Sequence, residues 1–166
     1  MLNQETLKKY LNYDPETGVF AWKVPTSNRV SVGSIAGTSH SPGGYVSIGL
    51  FGKLYKAHRL AMLYVHGESP KNDTDHINGI KNDNRINNLR AVTRTENLKN
   101  KALNKNNTSG TVGVFWNKKQ QAWKVVIGET YCGIFKCKLD AVAKAKSVYK
   151  ELGFHENHGR VLETNE

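Results

Sequence analysis

From Asn72 to about Leu103 the chain is polar and dense in asparagine, aspartate and arginine, and this stretch constrains the fold more than any other. A segment of that composition does not read as a core. Apolar patterns on either side have to carry it. Those patterns are modest, since hydrophobic residues make up 38% of the 166. That suffices for small packed cores but not for one large core. The chain therefore divides into a first segment 1–70, a polar segment 71–103, a linker 104–110 rich in turn formers, and a last segment 111–166.

The first segment opens with Leu7, Tyr10 and Leu11 at helical spacing. Asp14-Pro15-Glu16-Thr17-Gly18 is turn chemistry, and Val19–Trp22 reads as a strand. A Ser- and Gly-rich loop follows. Tyr45–Leu50 and Leu54–Ala57 then form a hairpin around Phe51-Gly52-Lys53. Leu60, Leu63 and Tyr64 predict a helix that Gly67 stops. In the polar segment Thr74–Ile77 is a strand candidate and Asn78-Gly79 a turn. Thr93-Arg94-Thr95-Glu96 fits a capping box, predicting a helix to about Leu103. The last segment carries strands at Thr111–Trp116, Ala122–Gly128 and Tyr131–Phe135. A helix follows, with Val142, Ala145, Tyr149 and Leu152 on its apolar face and Gly153 at its end. The expected fold class is α+β: a β-hairpin and helix region leading into a ββα unit, then a small three-stranded antiparallel sheet packed on one helix.

The formal net charge is +10 and the isoelectric point about 9.6, which points to a polyanionic partner. No run approaches the ~20 apolar residues of a membrane span, and no basic amphipathic helix suggests a membrane surface. The N-terminus lacks the pattern of a signal peptide, so the chain reads as cytosolic. Only Cys132 and Cys137 are present. That excludes a four-cysteine zinc site, and a disulfide framework is not expected. His40, His66, His155 and His158 show no ligand spacing and read as surface or loop residues.

The informative run is Asp75-His76-Ile77-Asn78-Gly79, Asp83-Asn84-Arg85, Asn87-Asn88-Leu89-Arg90 and Glu96-Asn97. Phosphodiester cleavage needs a base for water and a divalent cation on the phosphate. It also needs something to fix the imidazole of the base. Asp75 offers a hard carboxylate oxygen, and Asn97 can add an amide oxygen to the same metal. His76 is a base that is mostly neutral at physiological pH. Asn88 can orient His76. Arg85, Arg90, Arg94 and Lys101 would meet phosphates, with Arg94, Asn97, Lys101 and Asn104 on one helix face and Leu98 and Ala102 turned inward. Taken as a bare pair, Asp75-His76 is an ordinary strand-to-turn dipeptide, and Asn84 reads as a turn former. The ordered set of four is what carries the catalytic reading. His58 and Arg59, ahead of a helix, fit either phosphate contact or a cap and packing role. On a regular strand Asp75 and His76 would point to opposite faces. Sharing a site requires the strand to end or twist there.

The run DHINGIKNDNRINNLRAVTRTEN resembles the HNH motif of phage homing and intron-type endonucleases. YDPETGVFAWK and GKLYKAHRLAMLYVHG also resemble the N-terminal part of those enzymes. The resemblance implies a ββα-metal nuclease in which Asp75 and Asn97 hold Mg²⁺ (or Mn²⁺), His76 is the general base and Asn88 positions it. Asparagine stands at 97 where the family name has histidine. It further implies products with 5′-phosphate and 3′-hydroxyl ends, a double-stranded DNA substrate, and a place in the cytoplasm of a phage-infected host cell. A single site per chain favours a monomer.

In the last segment, Val114, Trp123, Val125, Ile134 and Phe135 are the expected core. The other sheet face would show Lys118, Lys119, Lys124 and Trp116. Such a face can enter a major groove, or it can be the solvated side of a plain packing unit. NTSGTVGVFWNKKQQAWKVVI and CGIFKCKLDAVAKAKSVYKELG resemble the DNA-binding domain of the apetala/ethylene-response-factor type. Lysines stand here where the plant proteins carry arginines, and lysine lacks the rigid fork for bidentate base contacts. The rival readings are a non-catalytic, sequence-tolerant DNA-binding protein derived from such an endonuclease, and an RNA-binding protein. The sequence lacks the stacking motif typical of the latter.

Overall fold

The structure is a computed structural model and describes residues 2–39 and 44–161. His40 lies outside the described residues. The chain forms an α+β fold in two compact units, Met1–Arg94 and Thr95–Glu166. Among the described residues no helix is long and apolar enough to cross a membrane, and both cysteines are free.

The first unit opens with α1 (Gln4–Tyr10), which starts because Asn3 Oδ1 accepts the Thr6 amide at 2.8 Å. Strands β1 (Leu11–Tyr13), β2 (Phe20–Trp22) and β3 (Ile35–Ala36) follow as an antiparallel sheet in that order. β3 falls in the Ser- and Gly-rich stretch expected to be loop. In the β1–β2 turn Asp14 Oδ1 accepts the Glu16 amide at 2.9 Å, and Gly18 takes a left-handed φ of 73°. β4 (Ser47–Leu50) and β5 (Lys53–Lys56) form the expected hairpin. Its two turn residues, Phe51 and Gly52, both have positive φ, the turn that matches strand twist. α2 (Ala57–His66) ends at left-handed Gly67. Leu7, Leu11, Phe20, Ile48, Leu50 and Leu60 pack at 2% exposure or less to make one small core. β6 (Asp73–His76) and β7 (Leu89–Val92) form a second hairpin, joined through a 3-10 turn at Ile86–Asn88.

Helix α3 (Arg94–Leu98) is shorter than the sequence predicts. The face expected to align Arg94 and Asn97 with Lys101 and Asn104 does not continue past Leu98, and Leu98 itself is half exposed rather than packed inward. Asn97 and Asn100 are weak helix formers, and tertiary partners take the backbone groups beyond them. Lys99 O accepts from His155 N, Lys101 O from Gly159 N, and Leu103 N donates to Arg160 O. Residues 104–110 lie inside the second unit. There Asn107 Oδ1 accepts from Gly110 N at 2.6 Å and Ser109 Oγ donates to Thr111 O at 2.8 Å.

Strands β8 (Val114–Asn117), β9 (Ala122–Ile127) and β10 (Thr130–Phe135) form a sheet of order β10-β9-β8, backed by α4 (Lys138–Glu151). The core is Val114, Val125, Ile127, Ala141, Ala145 and Val148, with Trp123, Phe135, Tyr149 and Phe154 packed against it. Two expectations change. Ile134 pairs with Lys124 on the face away from Val125, and the helix buries Ala141, Ala145 and Val148 while Leu152 is 44% exposed. A one-residue step along a strand flips the face, and the irregular register between Tyr131 and Gly133 sets which residues of β10 turn inward.

A fragment spanning 95–166 should unfold cooperatively in urea. One beginning at Asn107 should unfold at a lower midpoint, because it loses the backbone bonds to His155, Gly159 and Arg160. Equal midpoints would show that residues 99–103 are not part of this fold.

Candidate active site

The polar stretch folds as the β6–β7 hairpin with a long, internally bonded connection. Ladder partners are Asp75 with Arg90 and His76 with Leu89. β6 ends at His76, and Gly79, at φ 74°, returns its amide to His76 O at 2.8 Å. Asn88 closes the connection from the far side. Its carbonyl takes the Ile77 amide at 2.9 Å, its Oδ1 takes the Asn78 amide at 3.0 Å, and its Nδ2 donates to Asp83 O at 2.8 Å. Asp83 also receives Asn78 Nδ2 at 2.7 Å and Arg85 Nη2 at 2.6 Å. The Arg85 hydrogen bond is the main reason its carboxyl is held at about 2. Asn88 therefore grips the backbone that follows His76.

Asn84, expected only to shape a turn, is 2% exposed and reaches the imidazole. Its Oδ1 lies 3.2 Å from His76 Nε2, and its Nδ2 donates to Asn82 O at 3.3 Å. That second bond orients the amide so that the oxygen faces the ring. The tautomer that meets this oxygen carries its proton on Nε2. The first core holds Asn84 in place: Tyr13 Oη donates to Asn84 O at 2.7 Å. The β1–β2 turn packs against the same point so closely that a Cβ on Gly18 would come within 2.4 Å of Arg85 N. The Ile86 amide bonds Pro15 O at 3.2 Å. Nothing in the local sequence around Asn84 announces a tyrosine 71 residues upstream.

His76 is 4% exposed. His58, the second residue of α2, packs edge-on against it at 5.1 Å between ring centres, and Tyr45 lies 5.2 Å from His58 and 5.9 Å from His76. Of the two roles open to His58 in the sequence, the structure shows packing. Burial lowers the basicity of His76, opposed by the Asn84 hydrogen bond and by Asp75 and Asp83. Burial also pushes His58 down to about 4, helped by His76, Arg59 and Lys56. Both rings are thus neutral at physiological pH.

Asp75 is buried beside them and takes different partners. Arg90 Nε and Nη2 converge on its Oδ2 at 3.0 and 2.8 Å. The arginines expected to meet phosphate are all engaged within the unit. Arg85 pairs with Asp83, Arg90 with Asp75 and Arg94 with Asp73, while Arg59 donates to Pro70 O and Asn72 O. Among the described residues no three His, Cys, Asp or Glu side chains cluster as a ligand set. A metal at Asp75 would therefore rest on one or two protein oxygens, with water and phosphate completing its shell. That is the mode Mg²⁺ favours, and the hard oxygen donor fits it.

In the second unit Asn97 sits on α3, and Lys101, Lys118 and Lys119 are exposed. Trp116, expected beside Lys124, lies on the other side of the sheet. It pairs with Trp123, two residues along from the Val114–Val125 core pair. The lysine face carries Phe115 and Tyr131 instead, with Lys124 Nζ 5.9 and 5.6 Å from their ring centres. Of the histidines read as surface residues, His66 is exposed, but His158 packs between Tyr149 and Phe154 at 4.9 and 4.6 Å.

Residues 55–99 match the family model of the HNH endonucleases, a span that runs from β5 through α2 and the β6–β7 hairpin to just past α3. This match supports an HNH nuclease. Comparisons with curated proteins and with solved structures find no match.

The buried imidazoles set an acid limit on stability. His58 has a folded pKa of about 4 against an ordinary value of 6.5, so the unfolded chain binds the proton first. The stabilisation is fully present above 6.5 and is lost as pH falls towards 4, on the order of 3 kcal/mol at about 1.4 kcal/mol per unit. Urea midpoints for the whole protein should fall across that window, and His58→Phe should flatten the fall. An equally steep fall in the variant would show that His58 is not the group responsible.

Proposed function

We propose that this chain is a metal-dependent DNA endonuclease of the HNH type, acting as a monomer in phage homing within the cytoplasm of an infected host. The observation that carries the reading is the buried His76, neutral and held by Asn84 at Nε2. His76 Nδ1 takes a proton from water as the water oxygen bonds to phosphorus. The bond from phosphorus to the 3′ oxygen breaks, and that oxygen gains a proton from solvent, giving 5′-phosphate and 3′-hydroxyl ends. Asn88 and Asn84 keep the imidazole aimed, one through the backbone beyond it and one through its far nitrogen. Asp75, and Asn97 by the family resemblance, would hold Mg²⁺ or Mn²⁺, which supplies charge neutralisation at the phosphate and at the departing oxygen.

Duplex DNA would be gripped along Arg59, Arg85, Arg90, Arg94 and Lys101. For the arginines this means exchanging a carboxylate or carbonyl partner for phosphate. The 111–166 domain adds Lys118, Lys119 and Lys124, with Phe115 and Tyr131 in the place Trp116 was expected to fill. The Arg90–Asp75 pair favours a second reading, a DNA-binding protein that has kept the nuclease fold without cutting. Plasmid incubated with and without Mg²⁺ separates the two.

His76→Ala and Asp75→Ala should each slow plasmid nicking by at least about 10²-fold while duplex affinity changes little. Asn84→Ala should cost about tenfold, since the ring loses its tautomer lock but keeps its packing. EDTA should stop the wild type. Nicking by His76→Ala at the wild-type rate would sink the mechanism.

A further inference from the structure

Two lysines outside the assigned set converge on the aromatic ring beside His76. Lys56 closes β5, and its Nζ lies 5.5 Å from the centre of the Tyr45 ring and 3.1 Å from Ser47 Oγ. Lys81 belongs to the connection after β6, and its Nζ lies 5.2 Å from the same ring centre. Tyr45 in turn lies against both His58 and His76. Three separate pieces of chain thus bring two ammonium groups to one half-buried ring at the edge of the candidate base.

The charge balance is uneven there. Asp73, Asp75 and Asp83 each have an arginine partner. Among the described residues neither Lys56 nor Lys81 forms an ion pair. The attraction of the ring holds each ammonium beside Tyr45 without neutralising its charge. An anion bound at either ammonium supplies the missing counter-charge. Lysine suits the task, because its ammonium binds phosphate as a point charge with no fixed fork to satisfy.

We infer that Lys56, Tyr45 and Lys81 form a phosphate shelf beside His76, on which each ammonium takes one backbone phosphate of the nucleic acid next to the linkage presented to the imidazole. The inference rests on the nuclease reading for the identity of that linkage. Its own content is that two further phosphate contacts belong to the first unit and that Tyr45 holds them in register.

The test is binding of full-length protein to a short mixed-sequence duplex across a salt series, with nicking followed on the same preparations. Lys56→Gln and Lys81→Gln should each flatten the dependence of log K on log salt by about 0.9, and the double variant by about 1.8. Lys81→Arg should restore the slope that Lys81→Gln loses, which a purely structural role would not produce. Cleavage at saturating DNA should change less than affinity. Thermal melting identifies a variant that fails to fold, and for such a variant the arginine replacement at the same position provides the reading. Wild-type slopes in both folded glutamine variants overturn the shelf. A wild type that nicks while those slopes stay unchanged overturns the shelf alone. A wild type that never nicks, yet loses slope with each lysine, overturns the nuclease reading and leaves the shelf standing. A protein that does not bind duplex at all overturns both.

Discussion

Asn84 is held at two points, and the arrangement of the candidate site depends on it. Its carbonyl receives the hydroxyl of Tyr13, and its side-chain oxygen faces Nε2 of His76. The first contact anchors an otherwise polar connection to the apolar core of the first unit. The second passes that anchorage to the imidazole. A buried polar group left unsatisfied costs about 1–3 kcal/mol, so losing either contact is unfavourable. Burial also raises the Tyr13 hydroxyl to about 12, which keeps it a donor throughout the physiological range.

The polar stretch can be so poor in apolar residues because it borrows its rigidity. Asn78, Asp83, Arg85 and Asn88 satisfy one another and the backbone between them, and Gly18 and Pro15 press on the same loop from the neighbouring turn. A network of this kind holds its shape only when every member has a partner. The two imidazoles then lie at the border between that network and the core, where burial keeps both neutral.

Each unit also places lysine over aromatic rings. In the first, Lys56 and Lys81 share Tyr45, and in the second, Lys124 lies near both Phe115 and Tyr131. A ring holds an ammonium without neutralising it, unlike a carboxylate. The arginines are distributed differently: Arg85, Arg90 and Arg94 are tied to aspartates of the β6–β7 hairpin and its connection. Three arginines are thus matched by acids, while these three lysines keep their charge beside rings and add to the excess of 24 Lys and Arg over 14 Asp and Glu.

The sequence by itself determined the local elements and the chemistry at hand. Hydrophobic spacing marks α1, α2 and α4, turn residues mark the hairpins, and the order Asp75, His76, Asn88, Asn97 carries the resemblance to HNH nucleases, because each signal is carried by residues near one another in the chain. Tertiary structure decided what depends on distant partners. Asn84 looked like a turn residue because the tyrosine that binds its carbonyl lies 71 positions away. His58 had two open roles until α2 packed it against His76. Helix α3 stops at Leu98, and Trp116 changes side, because backbone partners near Arg160 and the register of β8 on β9 override local preference. Propensity acts within a turn or two, whereas packing and hydrogen-bond satisfaction are settled across the whole unit.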